Sequence, residues 1–282
     1  MVTATVLLPE QGVAFAGILA GVRILSNRRL RCLPCDGFAD LTVEIQFDRD
    51  RPTGHIESGS HASLRSTVAE CHALPEVMGL RGWIESSGRR VTIVEPADAV
   101  IDVAWAIRQV LPFASALQGG VILHGSAVLI GGCVHTFIAA SGVGKTTLAA
   151  RLAARGLAIV ADDLMPCRKA GEEIRVPLPF AGQAGESTAR LGGVHFLSRD
   201  SGAARVLVEL LSAPECLTGL LVNGFGELCV PAIWAAQFNM YALIARRVPA
   251  FSLAVPDDPS RLEDSAAQML AMLETRTSAA GT

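Results

Sequence analysis

Lysine is almost missing from this chain of 282 residues: two of its 24 basic side chains are lysine, and the rest are arginine. Charge of any kind is sparse, at 18% of residues against 50% hydrophobic, and the formal balance is -3. That balance argues against a nucleic-acid-binding surface, because such affinity rests on neutralising many phosphates with cations. The one basic concentration, Arg23, Arg28, Arg29 and Arg31, is answered downstream by Glu44, Asp48 and Asp50 and reads as a solvated face. Long apolar runs are missing too. The stretch 12–22 is too short to cross a bilayer and follows Glu10 rather than a basic segment, so neither a membrane span nor a secretory signal is expected. The seven cysteines are odd in number, which suits reduced thiols in a cytoplasmic protein. Cys32 and Cys35 form a lone Cys-x-x-Cys. His61, Cys71 and His72 could complete a zinc set, but no second pair has ligand spacing, and structural cysteines are the expectation.

What is present divides the chain in two. Residues 1–97 read as a β-rich N-terminal domain. Residues 41–47 alternate strictly and place Leu41, Val43, Ile45 and Phe47 on one face, 83–85 and 90–95 flank a hairpin turn at 86–89, and 50–66 form a polar loop. From residue 98 the period becomes helical, with Val100, Ile101, Ala104, Ile107 and Leu111 on one face, Pro112 kinking or dividing the segment, and Gly119-Gly120 ending it. Residues 98–275 read as an α/β domain and 276–282 as a frayed tail. Within the α/β domain, 121–123 and 127–130 are β-prone, 131–132 turn the chain, and 134–138 form a strand. Helix formers fill 147–155 before Gly156, and 157–161 suit a strand buried on both faces that ends in Asp162-Asp163. Residues 169–187 read as a polar loop around a strand at 174–176. The short apolar runs 194–197, 206–211, 219–222 and 227–230 suit strands or short helices, and 260–273 an amphipathic helix with Leu262, Ala266, Met269, Leu270 and Leu273 inward.

One of the two lysines, Lys145, stands in Ser141-Gly142-Val143-Gly144-Lys145-Thr146-Thr147, preceded by Ala139-Ala140. The pattern is that of a phosphate-binding P-loop (Walker A), with Ala139 where the first glycine is usual. Gly142 and Gly144 let backbone N–H groups turn inward around an anion, and the following helix presents its positive end to the same anion. Lys145 would reach the β- and γ-phosphates of ATP, and the Thr146 hydroxyl a Mg²⁺ ion. A glycine-rich turn before a helix is the plainer reading of the same residues. No third glycine completes Gly-x-Gly-x-x-Gly, which disfavours a dinucleotide fold. Asp162 and Asp163 would emerge at the ligand edge of the sheet, from a strand beside the phosphate-binding strand. One would take Mg²⁺ directly or through water and the other a proton from an attacking hydroxyl; alternatively, one merely caps the next turn. His124, in Leu123-His124-Gly125-Ser126-Ala127, is equally compatible with a structural and a site role, whereas His135 and His195 sit in apolar runs and read as structural.

These three segments, in this order and with Arg155-Gly156 between the loop and the aspartates, resemble the catalytic domain of the HPr kinase/phosphorylase family, a P-loop kinase group with a core similar to phosphoenolpyruvate carboxykinase. The resemblance covers roughly residues 100–255. It implies an α/β P-loop kinase domain in which Lys145 and Thr146 take phosphates and metal. Asp163 is the implied base that activates a serine hydroxyl, Asp162 lies beside it on the metal, and His124 orients the phosphate or Asp163. Downstream, Thr188-Ala189-Arg190-Leu191-Gly192-Gly193 is the nearest match to the family signature, with Arg190 matched and Ala189 in place of the acidic residue. The chain resembles more the stand-alone HPr-kinase-like proteins, including those of lasso-peptide pathways, which implies a serine hydroxyl on a peptide or protein as acceptor and leaves a small-molecule hydroxyl and a homo-oligomer open. A nucleotide-responsive module that binds ATP without transferring phosphate, and plain nucleotide hydrolysis coupled to assembly, are the readings from other classes.

Overall fold

The computed structural model describes residues 15–19, 22–26, 41–48, 71–74, 81–94, 102–179, 187–224 and 230–279. Cys32, Cys35, His61, the arginines at 28, 29 and 31, and the expected loop at 50–66 lie outside them. The chain divides into two compact units, residues 1–118 with 228–231 and residues 119–227 with 232–282.

The first unit is a six-stranded mixed sheet with one helix. Its strands are β1 (Phe15–Leu19), β2 (Val22–Ser26), β3 (Leu41–Asp48), β4 (Cys71–Ala73), β5 (Arg81–Glu85) and β6 (Arg90–Val94), in the order β1-β2-β3-β6-β5-β4. The expected alternation in β3 holds at Val43 and Ile45, both fully buried, and the hairpin turn between β5 and β6 is where the sequence puts it. Helix α1 (Val103–Leu117) starts at Asp102, whose carboxylate accepts from the Ala104 and Trp105 N–H groups. Pro112 lies inside it without dividing it. The apolar face of α1 includes Ile107 and Leu111 and packs against β3 and β6. By these contacts α1 falls in the first unit, whereas the boundary read from the sequence runs at 97/98.

The second unit is built on an eight-stranded sheet with helices on both faces. In chain order it runs β7 (Gly120–Ile130), β8 (Cys133–Ile138), α2 (Lys145–Ala153), β9 (Ala158–Ala161), β10 (Leu164–Ala170), β11 (Glu173–Pro177), β12 (Thr188–Asp200) and β13 (Leu207–Leu211). Then follow α3 (Ala213–Val222), α4 (Pro231–Arg247), β14 (Ala250–Pro256), a 3-10 turn (Pro259–Arg261) and α5 (Leu262–Ala279). Strands β8, β12 and β14 are parallel neighbours. Because both faces of β8 are covered, all six of its residues are buried. Phe137 and Ala139 pack with Leu148 and Leu152 of α2 and with Ala266, Met269 and Leu273 of α5. Val134 and Ile138 pack in the opposite core with Cys216 of α3 and Ile244 of α4. The sheet also curls on itself. Strands β7, β8, β12, β11 and β10 pair in a ring, and one circuit carries the register along β7 from Gly120 to Ile130.

Several local expectations change here. Strand β7 is continuous through His124–Ser126, where the sequence shows two runs. Strand β9 is not buried on both faces: Ala158 and Ile159 are exposed, because β9 pairs with β7 at the sheet margin rather than beside β8. Much of the polar stretch from 169 forms the β10–β11 hairpin, and 180–186 lie outside the described residues. The run 219–222 is helical, its start fixed by a capping box in which Ser212 and Glu215 bond reciprocally. Residues 227–229 lie outside the described residues. Helix α4 and strand β14 have no counterpart in the sequence reading, and α5 continues to Ala279, past the expected start of the tail.

His135 and His195 are both buried, as expected of structural residues, and meet ring to ring, Nδ1 to Nε2, at 3.1 Å, with His195 stacked on Phe251. Burial lowers the pKa of His135 from 6.5 to about 4, with Arg190 adding to the effect. The folded state therefore binds fewer protons here than the unfolded chain between these two values, so stability falls as pH falls from about 6.5 to about 4. Denaturant titrations across that window are expected to show a loss of roughly 3 kcal/mol from this group, and His135→Leu should flatten the slope.

Candidate active site

The loop 139–144 leaves the C-terminal end of β8 at the ligand edge of the parallel strands and enters α2 directly. Gly144 is the residue before the helix, at φ 109, a conformation that L side chains rarely adopt. It offers no side-chain cap, so the first N–H groups of α2 have no capping side chain and face an open pocket. Ala139 fits its unusual position because its methyl is buried in the α2-side core, and among the described residues Asp163 is the only non-glycine with positive φ. Lys145 is largely buried. Its ammonium donates to the Ala139 carbonyl at 2.7 Å and the Ala140 carbonyl at 3.3 Å. Burial pushes its pKa below the ordinary value, and the carboxylates of Asp163 and then Asp162 act in the opposite direction.

Asp162 and Asp163 interrupt the edge that pairs with β7. β9 pairs with β7 from Ala127 to Leu129, β10 pairs with it from Gly120 to His124, and the two aspartates bulge between. Because β9 is antiparallel to β7, and β7 to β8, β9 runs in the same direction as β8 and delivers the aspartates to the loop edge after all. Asp163 adopts φ 84, which an aspartate tolerates better than most side chains, and its carbonyl accepts from the Gly125 N–H at 3.2 Å. Its carboxylate lies 3.2 Å from His124 Nε2. The Asp162 carboxylate oxygen accepts two hydroxyls at once, Ser126 at 2.7 Å and Thr146 at 2.8 Å.

The sequence-derived residues thus come together. His124, Ser141, Gly142, Gly144, Lys145, Thr146, Thr147 and Asp163 line one pocket of about 300 Å³. Val143 turns to the other side of the loop. Two partners escaped the sequence reading. Ser126, fully buried, shares the His124 face of β7 by strand alternation, and that period was the available signal. Arg199, near the end of β12, donates to the Val143 carbonyl and to Asp257, both at 3.0 Å; its place at the C-terminal end of a strand parallel to β8 was the signal. Arg190 and Ala189 do not join the site. Arg190 pairs in register with Cys133 at the start of β8, about 20 Å along the strand from the loop. Among the described residues, no group of three or more His, Cys, Asp or Glu side chains is placed to hold a metal, and no helix is long and apolar enough to cross a membrane. Cys133, Cys167 and Cys216 are buried free thiols, as expected of structural cysteines, and burial raises the Cys216 pKa to about 11.

No protein-family model matches the chain, and no curated protein matches it. Among solved structures, 54% of it is similar to the Hpr(Ser) kinase/phosphatase from Coxiella burnetii, with 98% of that chain covered, at 11% identity and a TM-score of 0.31. A likeness of that degree carries no inference about this chain, and the reading of its chemistry rests on the site.

Gly125 holds β7 against β8 between His124 and Ser126. A Cβ there would meet the Phe137 carbonyl at 2.7 Å and the Thr136 hydroxyl at 2.9 Å. Gly125→Ala is therefore expected to cost about 1–3 kcal/mol in urea denaturation, and unchanged stability would contradict this close approach.

Proposed function

We propose that this chain is an ATP-dependent, Mg²⁺-assisted kinase that transfers a phosphoryl group to a hydroxyl, in the first instance a serine on a peptide or protein. The observation that carries the reading is the His124–Asp163 pair at 3.2 Å, lining the same pocket as Lys145 and Thr146. Phosphoryl transfer needs charge neutralisation, in-line positioning and a proton acceptor, and that pocket offers a group for each.

On this reading the backbone N–H groups at the start of α2 and the Lys145 ammonium hold the phosphates. Lys145 has three donors and two carbonyl partners, which leaves one donor for phosphate. The donor set suits Mg²⁺, a hard cation that is commonly held by one or two carboxylates with phosphate oxygens and water: the Asp162 carboxylate and the Thr146 hydroxyl already meet at 2.8 Å. When bound, the ion would neutralise charge on the β- and γ-phosphates. The acceptor oxygen attacks the terminal phosphorus, the bond to the bridging oxygen breaks, and its electron pair leaves with the diphosphate. The hydroxyl proton passes to Asp163, which His124 orients. Ser126 keeps Asp162 aimed at Thr146. Ala189, which stands where the family signature has an acid, pairs with Val176 of β11 and does not line the pocket.

Asp163→Asn is expected to keep ATP binding while lowering acceptor-dependent turnover at least about a hundredfold, read as transfer of labelled phosphate to a serine peptide or to protein in a lysate. Unchanged turnover would remove Asp163 from its role. Lys145→Ala should abolish ATP binding in equilibrium dialysis; undiminished binding would overturn the phosphate assignment.

A further inference from the structure

The loop that borders the polar pocket is also one wall of a second, less open cleft. Gly144 and Thr147 line both. The second cleft measures about 190 Å³ and lies where β12 and β14 end and α5 begins. Its walls are mainly apolar, from Val143, Leu148, Leu197, Val255, Pro259 and Leu262. Two charged groups stand at it. Arg199 is tied to the Val143 carbonyl and Asp257, and its guanidinium lies 3.1 Å from where a Gly144 Cβ would be. Asp258 is held by the Ser260 N–H and hydroxyl at 2.9 and 2.7 Å. An apolar cleft with a few fixed polar groups is the ordinary form of a small-ligand site.

We infer that this cleft is the nucleobase site of the nucleotide whose phosphates occupy the polar pocket, with the ring between Val143 and the Pro259–Leu262 wall and the Arg199 guanidinium alongside its edge. The inference rests on the phosphoryl-transfer reading and adds what binds at the other end of the nucleotide. Three features carry it. The two cavities share loop residues, so one ligand can run from polar to apolar without leaving the protein. The cleft is small enough for one ring system and too small for a peptide segment. The loop residue Val143 faces it, although the phosphate pocket has no use for an apolar side chain there. A planar guanidinium beside the cleft also suits the acceptor atoms on the edge of a nucleobase, to which its N–H groups can donate in plane. The acceptor is thereby assigned to the open polar side, where Asp163 stands.

The test compares MgATP with Mg-tripolyphosphate by equilibrium dialysis on the full chain. The intact protein should bind MgATP at least about tenfold more tightly. Leu262→Trp, which fills the cleft, should bring the two ligands to equal affinity without changing that for tripolyphosphate, and Leu262→Met should behave as the intact protein. Loss of MgATP preference in Leu262→Trp supports the assignment, and a preference that survives intact overturns it. Photolabelling of the unaltered protein with an ATP analogue azidated on its purine ring gives a second readout that depends on no variant. Label on 143–148 or 255–265 supports the cleft, and label elsewhere overturns it even if Leu262→Trp fails to fold. Tripolyphosphate binding that is lost in Lys145→Ala shows the phosphate assignment standing separately; failure of the intact protein to bind either ligand would sink both.

Discussion

One carboxylate oxygen ties the site together. Asp162 Oδ1 accepts from Ser126, on β7, and from Thr146, in the first turn of α2. Hydrogen bonds to an ionised acceptor are worth about 1.5–3 kcal/mol, less where water competes, as it does at the exposed Asp162. Their larger effect is geometric. The fully buried Ser126 hydroxyl holds the carboxylate, the carboxylate holds the helix start, and Asp163 is left to turn toward His124 with a left-handed backbone. Such strain at an interrupted strand edge survives only where the surroundings fix it, and here the Gly125 N–H and the flanking β9 and β10 pairings do so.

That arrangement separates two chemical environments across a single loop. On one side are donors, an ammonium and the Asp163 carboxylate; on the other, valine, leucine and proline side chains with an arginine and an aspartate at the margin. Arg199 spans the divide by bonding to a loop carbonyl from the end of β12.

Much of the site was legible in the sequence because its parts are short and local. Ser141–Thr147 carries its own turn residues and its own helix start, and Asp162-Asp163 and His124 are single positions flanked by apolar runs. The partners that depend on register were not legible. Ser126 joins Asp162 only because β9 and β10 share one edge of β7, and Arg199 reaches the loop only because β12 lies parallel to β8. Arg190 shows the same dependence in reverse: spacing along the chain placed it in order, but pairing put it beside Cys133 at the far end of the sheet. In the first unit, alternation named the buried face of β3, yet periodicity gave no hint that α1 would be covered by that sheet. The second unit was harder still, since short apolar runs serve helix and strand alike. Residues 219–222 lie in the last turn of α3, whose start is marked by the Ser212–Glu215 capping box several residues upstream.

The sequence by itself determined the local chemistry: a lysine kept in a chain of arginines, glycines where the backbone must turn left, and carboxylates after an apolar strand. These follow from side-chain type and backbone freedom within a few residues, which need no partner to be read. The tertiary structure alone decided which of these groups meet. Closing β7, β8, β12, β11 and β10 into a ring fixes the registers between distant segments. Register is a property of the pair and not of either strand, so it set Asp162 beside Ser126, Arg199 beside Val143 and Arg190 far from both.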